Sequence, residues 1–91
     1  LIERTVVLGN AHGLHARPAA EFVKLASRFA SDVKLTKDDL TIDGKSIMGV
    51  MMLAAECGST LKLAIVGSDE AAAASALAAF LESKTLEGKT F

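Results

Sequence analysis

His15 and Arg17 are the side chains of this sequence best suited to handle a phosphoryl group. They sit in the run Asn10-Ala11-His12-Gly13-Leu14-His15-Ala16-Arg17-Pro18-Ala19-Ala20. A neutral imidazole carries a ring-nitrogen lone pair that can attack phosphorus. A guanidinium stays protonated and can grip two phosphoryl oxygens at once. The residues that follow predict a helix starting near Ala16, and a helix start is itself an anion site. Its first amides lack intrahelical partners and the aligned peptide dipoles place about half a positive charge there. Gly13 allows a sharp turn and a close backbone approach, and Pro18 falls in the first turn, where its missing N–H breaks no helical bond. Taken alone, His-x-Arg-Pro is also what a polar cap followed by a solvated arginine looks like, because short motifs match by chance.

His12 stands three positions before His15, a spacing that raises the question of a metal. Two loop histidines without a cysteine or nearby acidic ligand fall short of a zinc set, so no metal is expected. The alternative role for His12 is to donate a hydrogen bond to a phosphoryl group on His15.

The elements that must position these residues can be read from periodicity. Arg4 to Leu8, with Val6 and Leu8 on one face, predicts a first strand ending at Gly9-Asn10. From Ala16 to about Ala30, Ala19, Phe22, Val23, Ala26, Phe29 and Ala30 recur at helical spacing. Val33 and Leu35, then Leu40 and Ile42, alternate around Asp38-Asp39 and predict a hairpin. Ser46 suits the N-cap of a short helix running to about Leu53, a role contributing about 1 kcal/mol. Leu61, Leu63 and Ile65 form a fourth strand closed by Gly67. A last helix, capped by Ser68 or Asp69, carries the stripe Ala74, Leu77, Ala78 and Leu81, and the tail after Lys84 reads as frayed. The order βαββαβα lays helices on one face of an antiparallel sheet, an α+β fold.

A helix as short as the one after Ser46 cannot turn Ile47, Met48 and Met51 all inward once Val50 and Leu53 take the core face. Either the whole helix is buried, or these side chains form an adaptable exposed patch beside His15, for which methionine is suited.

Ninety-one residues make one domain, 1–91, with a modest core and no room for a cleft between two lobes. The net charge of −1 provides no basic stripe, which argues against nucleic-acid binding by bulk electrostatics. The single cysteine, Cys57, excludes an internal disulfide or a cysteine zinc cluster, and is expected to be a small half-buried residue in a reducing compartment. No apolar run is long enough to span a membrane and no charged-then-apolar leader precedes Val6, so a soluble, cytoplasmic protein is expected. A phosphohistidine enzyme such as a small phosphatase would need a general acid and further phosphate ligands, and the sequence suggests neither.

The run Asn-x-x-Gly-Leu-His-Ala-Arg-Pro-Ala, with Gly44-Lys45-Ser46-Ile47-Met48-Gly49-Val50-Met51 later in the chain, resembles the HPr phosphocarrier family of the bacterial phosphoenolpyruvate-dependent sugar phosphotransferase system. The resemblance spans essentially the whole chain. It implies an open-faced β-sandwich, a four-stranded antiparallel sheet with three helices on one face. It implies that His15 accepts a phosphoryl group at Nδ1 from phosphorylated enzyme I and passes it to an enzyme IIA, with Arg17 as clamp and His12 and Ala16 as supporting positions. Ile47, Met48, Met51, Ala20 and Lys24 become the docking surface. Ser46 matches the serine modified by HPr kinase/phosphorylase in some bacteria. His12 departs from the family pattern, which usually has a small polar residue there. No cofactor is implied, the carrier is expected to be a monomer, and it has no turnover of its own. The alternatives within the family are a nitrogen-related regulatory carrier, or a domain of a multiphosphoryl transfer protein.

Overall fold

The alternation of Leu61, Leu63 and Ile65 with Thr60 and Lys62 gives a strand one dry face, and that strand lies at the centre of the sheet. In a computed structural model, which describes residues 1–83, the elements are β1 (Ile2–Val7), α1 (Ala16–Ala26), β2 (Asp32–Lys37), β3 (Leu40–Asp43), α2 (Ile47–Met52), β4 (Thr60–Val66) and α3 (Glu70–Glu82). The strand order is β1-β4-β2-β3, with every pairing antiparallel. The register sets Val6 against Leu61 on one side of β4 and Leu35 against Leu63 on the other, so the apolar residues share one face. The expected βαββαβα order and open-faced antiparallel sheet are therefore present.

The helices cover that dry face. Phe22, Ala19 and Ala26 of α1 and Ala73, Ala74, Leu77 and Leu81 of α3 are fully buried with Leu35, Leu61, Leu63 and Ile65. Each large aliphatic side chain buried this way contributes about 1.5–3 kcal/mol. The alanines of α3 let its backbone lie close to β1 and β4, while α2 packs on α1 and β3 at the other end of the sheet.

Four local expectations need correction. The first strand spans Ile2–Val7, not Arg4 to Leu8, although Leu8 continues its direction by donating to the Ser59 carbonyl at 2.9 Å and accepting from the Gly58 amide at 2.8 Å. The first helix stops at Ala26 instead of near Ala30. The apolar spacing does persist, since Phe29 still packs on the core. The backbone groups there have found tertiary partners: the Ala30 and Ser31 amides donate to the Asp69 carboxylate at 2.9 and 3.0 Å, and Lys45 Nζ donates to the Phe29 carbonyl at 2.8 Å.

Asp69 holds the N-cap position of α3 but its side chain caps nothing, because it is turned toward Ala30 and Ser31. Glu70 reaches back instead and accepts from the Gly67 amide at 3.0 Å. Cys57 is exposed, not half-buried. It sits in a turn closed by the Ser59 amide on the Glu56 carbonyl and the Glu56 amide on Ser59 Oγ, both 2.9 Å, and its thiol faces the Gly9 carbonyl at 3.8 Å on the surface. The tail after Lys84 lies outside the described residues.

Candidate functional site

The loop between β1 and α1 is held at both ends by the core and in its middle by its own backbone. Leu8 and Leu14 are buried anchors. Between them, the buried Asn10 donates from Nδ2 to the Gly13 carbonyl at 2.9 Å, and the Gly13 amide donates back to the Asn10 carbonyl at 3.1 Å. This reciprocal pair is the kind of local turn for which asparagine is favoured. Gly13 is at φ 77°, and a Cβ there would lie 2.5 Å from the Ala55 carbonyl oxygen. Glycine is thus required both by conformation and by space. The next amide, that of Leu14, donates to the same Ala55 carbonyl at 2.9 Å and fastens the loop to the segment leaving α2.

This anchoring leaves His12 and His15 exposed. His15 is the N-cap of α1, with extended φ −86° and ψ −167°, and its carbonyl accepts the first helical bond from Ala19 at 2.9 Å. Its imidazole makes no capping hydrogen bond, so the reading of His15 as a polar cap accounts for its backbone and not for its ring. That ring faces His12 edge-on, with centroids 6.2 Å apart and planes at 77°. Pro18 and Ala19 turn into the core, which forces Ala16 and Arg17 to the outer side of the first turn. An exposed imidazole, an exposed arginine two positions on and the amide end of a helix therefore come together at one helix start. Among the described residues, no third His, Cys, Asp or Glu joins the two histidines in a group that could hold a metal ion.

Two further sets of positions adjoin this surface. Ala16, half-buried Ala20 and exposed Lys24 follow one another at i, i+4 along α1, and so line one side of it from the His15 end upward. Lys24 Nζ stands 3.9 Å from Glu21 Oε2 on that helix. In α2, Ser46 is the N-cap and its Oγ accepts from the Gly49 amide at 3.0 Å. Val50 and Leu53 are buried, whereas Ile47, Met48 and Met51 are exposed, the last two by 72% and 40%. The fully buried alternative for this helix is excluded. Met52, which the sequence reading left out, is 63% exposed, and its i, i+4 relation to Met48 is the signal that could have included it.

After α2 the chain turns through Ala54 at φ 50°, and Ala55 then offers its carbonyl to Leu14. The apolar end of α2 and the histidine loop are thereby fixed relative to each other. The sequence pattern includes Asn10 only as the end of the first strand and the start of the family motif, and assigns no role to Ala54 or Ala55. Only Asn10 carried a usable signal, the Asn-x-x-Gly spacing.

No described helix is long and apolar enough to cross a membrane. Comparison with known proteins adds the family. The family model described as the PTS HPr component phosphorylation site matches residues 2–83. The phosphocarrier protein HPr of Treponema pallidum is 48% identical over 84 residues, covering 92% of this chain and 96% of that protein. That of Cupriavidus necator is 44% identical over 89 residues, covering 98% and 100%. The crystal structure of a phosphocarrier protein HPr from Bacillus anthracis superposes with a TM-score of 0.86 at 44% identity, covering 88% of this chain and 95% of that one.

Proposed function

Since the chain belongs to the HPr family of phosphotransferase-system phosphocarriers, we propose that His15 is its phosphoryl acceptor, loaded by phosphorylated enzyme I and unloaded onto an enzyme IIA in sugar uptake. The observation that carries this reading is the exposed, uncapping imidazole of His15 at the amide end of α1. A ring-nitrogen lone pair attacks phosphorus, and the bond to the donor breaks as the bond to His15 forms. By the family resemblance that nitrogen is Nδ1. The Arg17 guanidinium holds phosphoryl oxygens, the Ala16 amide and helix dipole receive the remaining negative charge, and His12 donates a hydrogen bond from the adjacent loop.

The same reading makes Ile47, Met48 and Met51, with Ala20 and Lys24, the surface on which partners dock. Both transfers are completed inside those complexes, so the carrier needs no cleft of its own and acts as a monomer in the cytoplasm. On this reading Ser46 is the regulatory position. A phosphate at the start of α2 suits the helix dipole while putting charge beside the apolar patch.

Incubation with phosphoenolpyruvate and enzyme I, followed by intact-mass measurement, tests the assignment. The protein and its His12→Ala variant should each gain one phosphoryl group, while His15→Ala should gain none and keep its melting temperature. Phosphorylation of His15→Ala would overturn the site. Running the assay with the nitrogen-related enzyme I as well separates the sugar branch from the regulatory one.

A further inference from the structure

All three methionines of the sequence lie in the segment 48–52, and none belongs to the core, which is built from Leu, Val, Ile, Ala and Phe. Met48 and Met52 are 72% and 63% exposed and lie one turn apart on α2, with Met51 at 40% beside them. The chain has no Trp or Tyr, and its one other sulfur is the thiol of Cys57. A two-electron oxidant approaching this protein therefore meets thioethers almost entirely on one face of one helix. That face adds no residue to the core: Val50 and Leu53 make the core contacts of the region, and α2 is capped by the Gly49 amide donating to Ser46 Oγ.

We infer that α2 carries a reversible methionine-oxidation site, at which a hydroperoxide converts Met48 and Met52 first, then Met51, to sulfoxides and so weakens docking at the His15 surface. The effect on docking rests on the function proposed above. The thioether sulfur attacks a peroxide oxygen, an S–O bond forms as the O–O bond breaks, and the sulfur gives up two electrons while the peroxide is reduced to water or an alcohol. Reversal requires a dithiol, which is oxidised to a disulfide as the sulfoxide oxygen leaves in water. Oxidation replaces a flexible apolar side chain with a polar one. Its oxygen must lose water without gaining a partner when an apolar surface closes over α2.

The test uses the Cys57→Ser protein, so that methionine is the only sulfur present, treated with hydrogen peroxide until mass mapping shows three sulfoxides. One sulfoxide oxygen left unpaired at the interface is expected to raise the enzyme I concentration giving half-maximal phosphorylation about tenfold. The melting temperature should hold, and methionine sulfoxide reductase with dithiothreitol should restore the original value. A Met48→Leu/Met51→Leu/Met52→Leu variant in the same background should give one half-saturation concentration before and after peroxide, whatever that concentration is. If the oxidised protein is phosphorylated with unchanged half-saturation, or if the leucine variant remains equally peroxide-sensitive, the inference fails. If the untreated protein takes no phosphate from enzyme I, the carrier reading fails, and the docking switch with it.

Discussion

An N-cap whose ring makes no capping bond forgoes the usual stabilisation of that position, and His15 is such a residue. Its replacement should therefore leave stability nearly untouched, whereas on the proposed function replacement of Arg17 should affect transfer in a graded way. A charge-assisted hydrogen bond contributes about 1.5–3 kcal/mol, so Arg17→Ala should slow phosphoryl transfer by about 10- to 100-fold. Arg17→Lys should recover part of that loss, because it keeps the charge and lacks the planar fork. Stopped-flow or quench measurement of transfer from enzyme I decides the matter, and equal rates for the wild type and the alanine variant would remove the clamp. The exposed positions of His15 and Arg17 at the start of α1 were legible in the sequence, because the helix start follows from Pro18 and the apolar spacing after it. Asn10 and Cys57 were not legible in the same way. Burial of the first depends on Gly13 and the core, and exposure of the second depends on a turn closed by Glu56 and Ser59.

Among the elements, α2 shows how a short helix divides its duties. Ser46 caps it, Val50 and Leu53 hold it to the core, and the remaining apolar side chains face outward. Ser46→Asp separates these duties, since aspartate caps as well as serine does and suits the positive end of the dipole. Thermal unfolding should be nearly unchanged. Partner association should weaken by roughly 1–3 kcal/mol, because a carboxylate beside Ile47 and Met48 must be partly desolvated when an apolar surface closes on it. A titration of enzyme I against transfer rate should show a raised half-saturation concentration. An unchanged half-saturation with a lowered melting temperature would point to the helix and not to docking. The sequence showed that this helix exists and which side is dry, and it overextended α1 for a specific reason. Apolar periodicity continues through Phe29, but the competing acceptor for the Ala30 and Ser31 amides is Asp69, a residue distant in sequence. Periodicity reports which side of a helix is wet; it contains nothing about where a remote carboxylate will stop it.

At the scale of the molecule, that carboxylate ties the α1–β2 connection to the start of α3. The Ser31 hydroxyl, followed by the Ala30 and Ser31 amides, holds the Asp69 carboxyl below its ordinary value of 3.8. A group with a lowered folded pKa contributes stability that is fully present above its unfolded value and is lost as pH falls through the folded one. The tie should accordingly be intact at neutral pH and fade below about pH 4. Urea unfolding of wild type and Asp69→Asn should show a gap at pH 7 that narrows toward pH 2.5, and a gap that stays constant over that range would exclude the carboxylate as its source. The order of strands in the sheet has a different kind of consequence. β4 is the partner of both β1 and β2, yet it is made after both. On a ribosome, which releases the chain from its N-terminus, the β2–β3 hairpin is the one strand pair that can close early. β1 must wait across a long loop, with the entropy of closing it still to be met. Until residues 60–66 emerge, Val6, Leu8, Val33 and Leu35 have no finished sheet in which to bury themselves, and the nascent chain presents them to whatever chaperone is near.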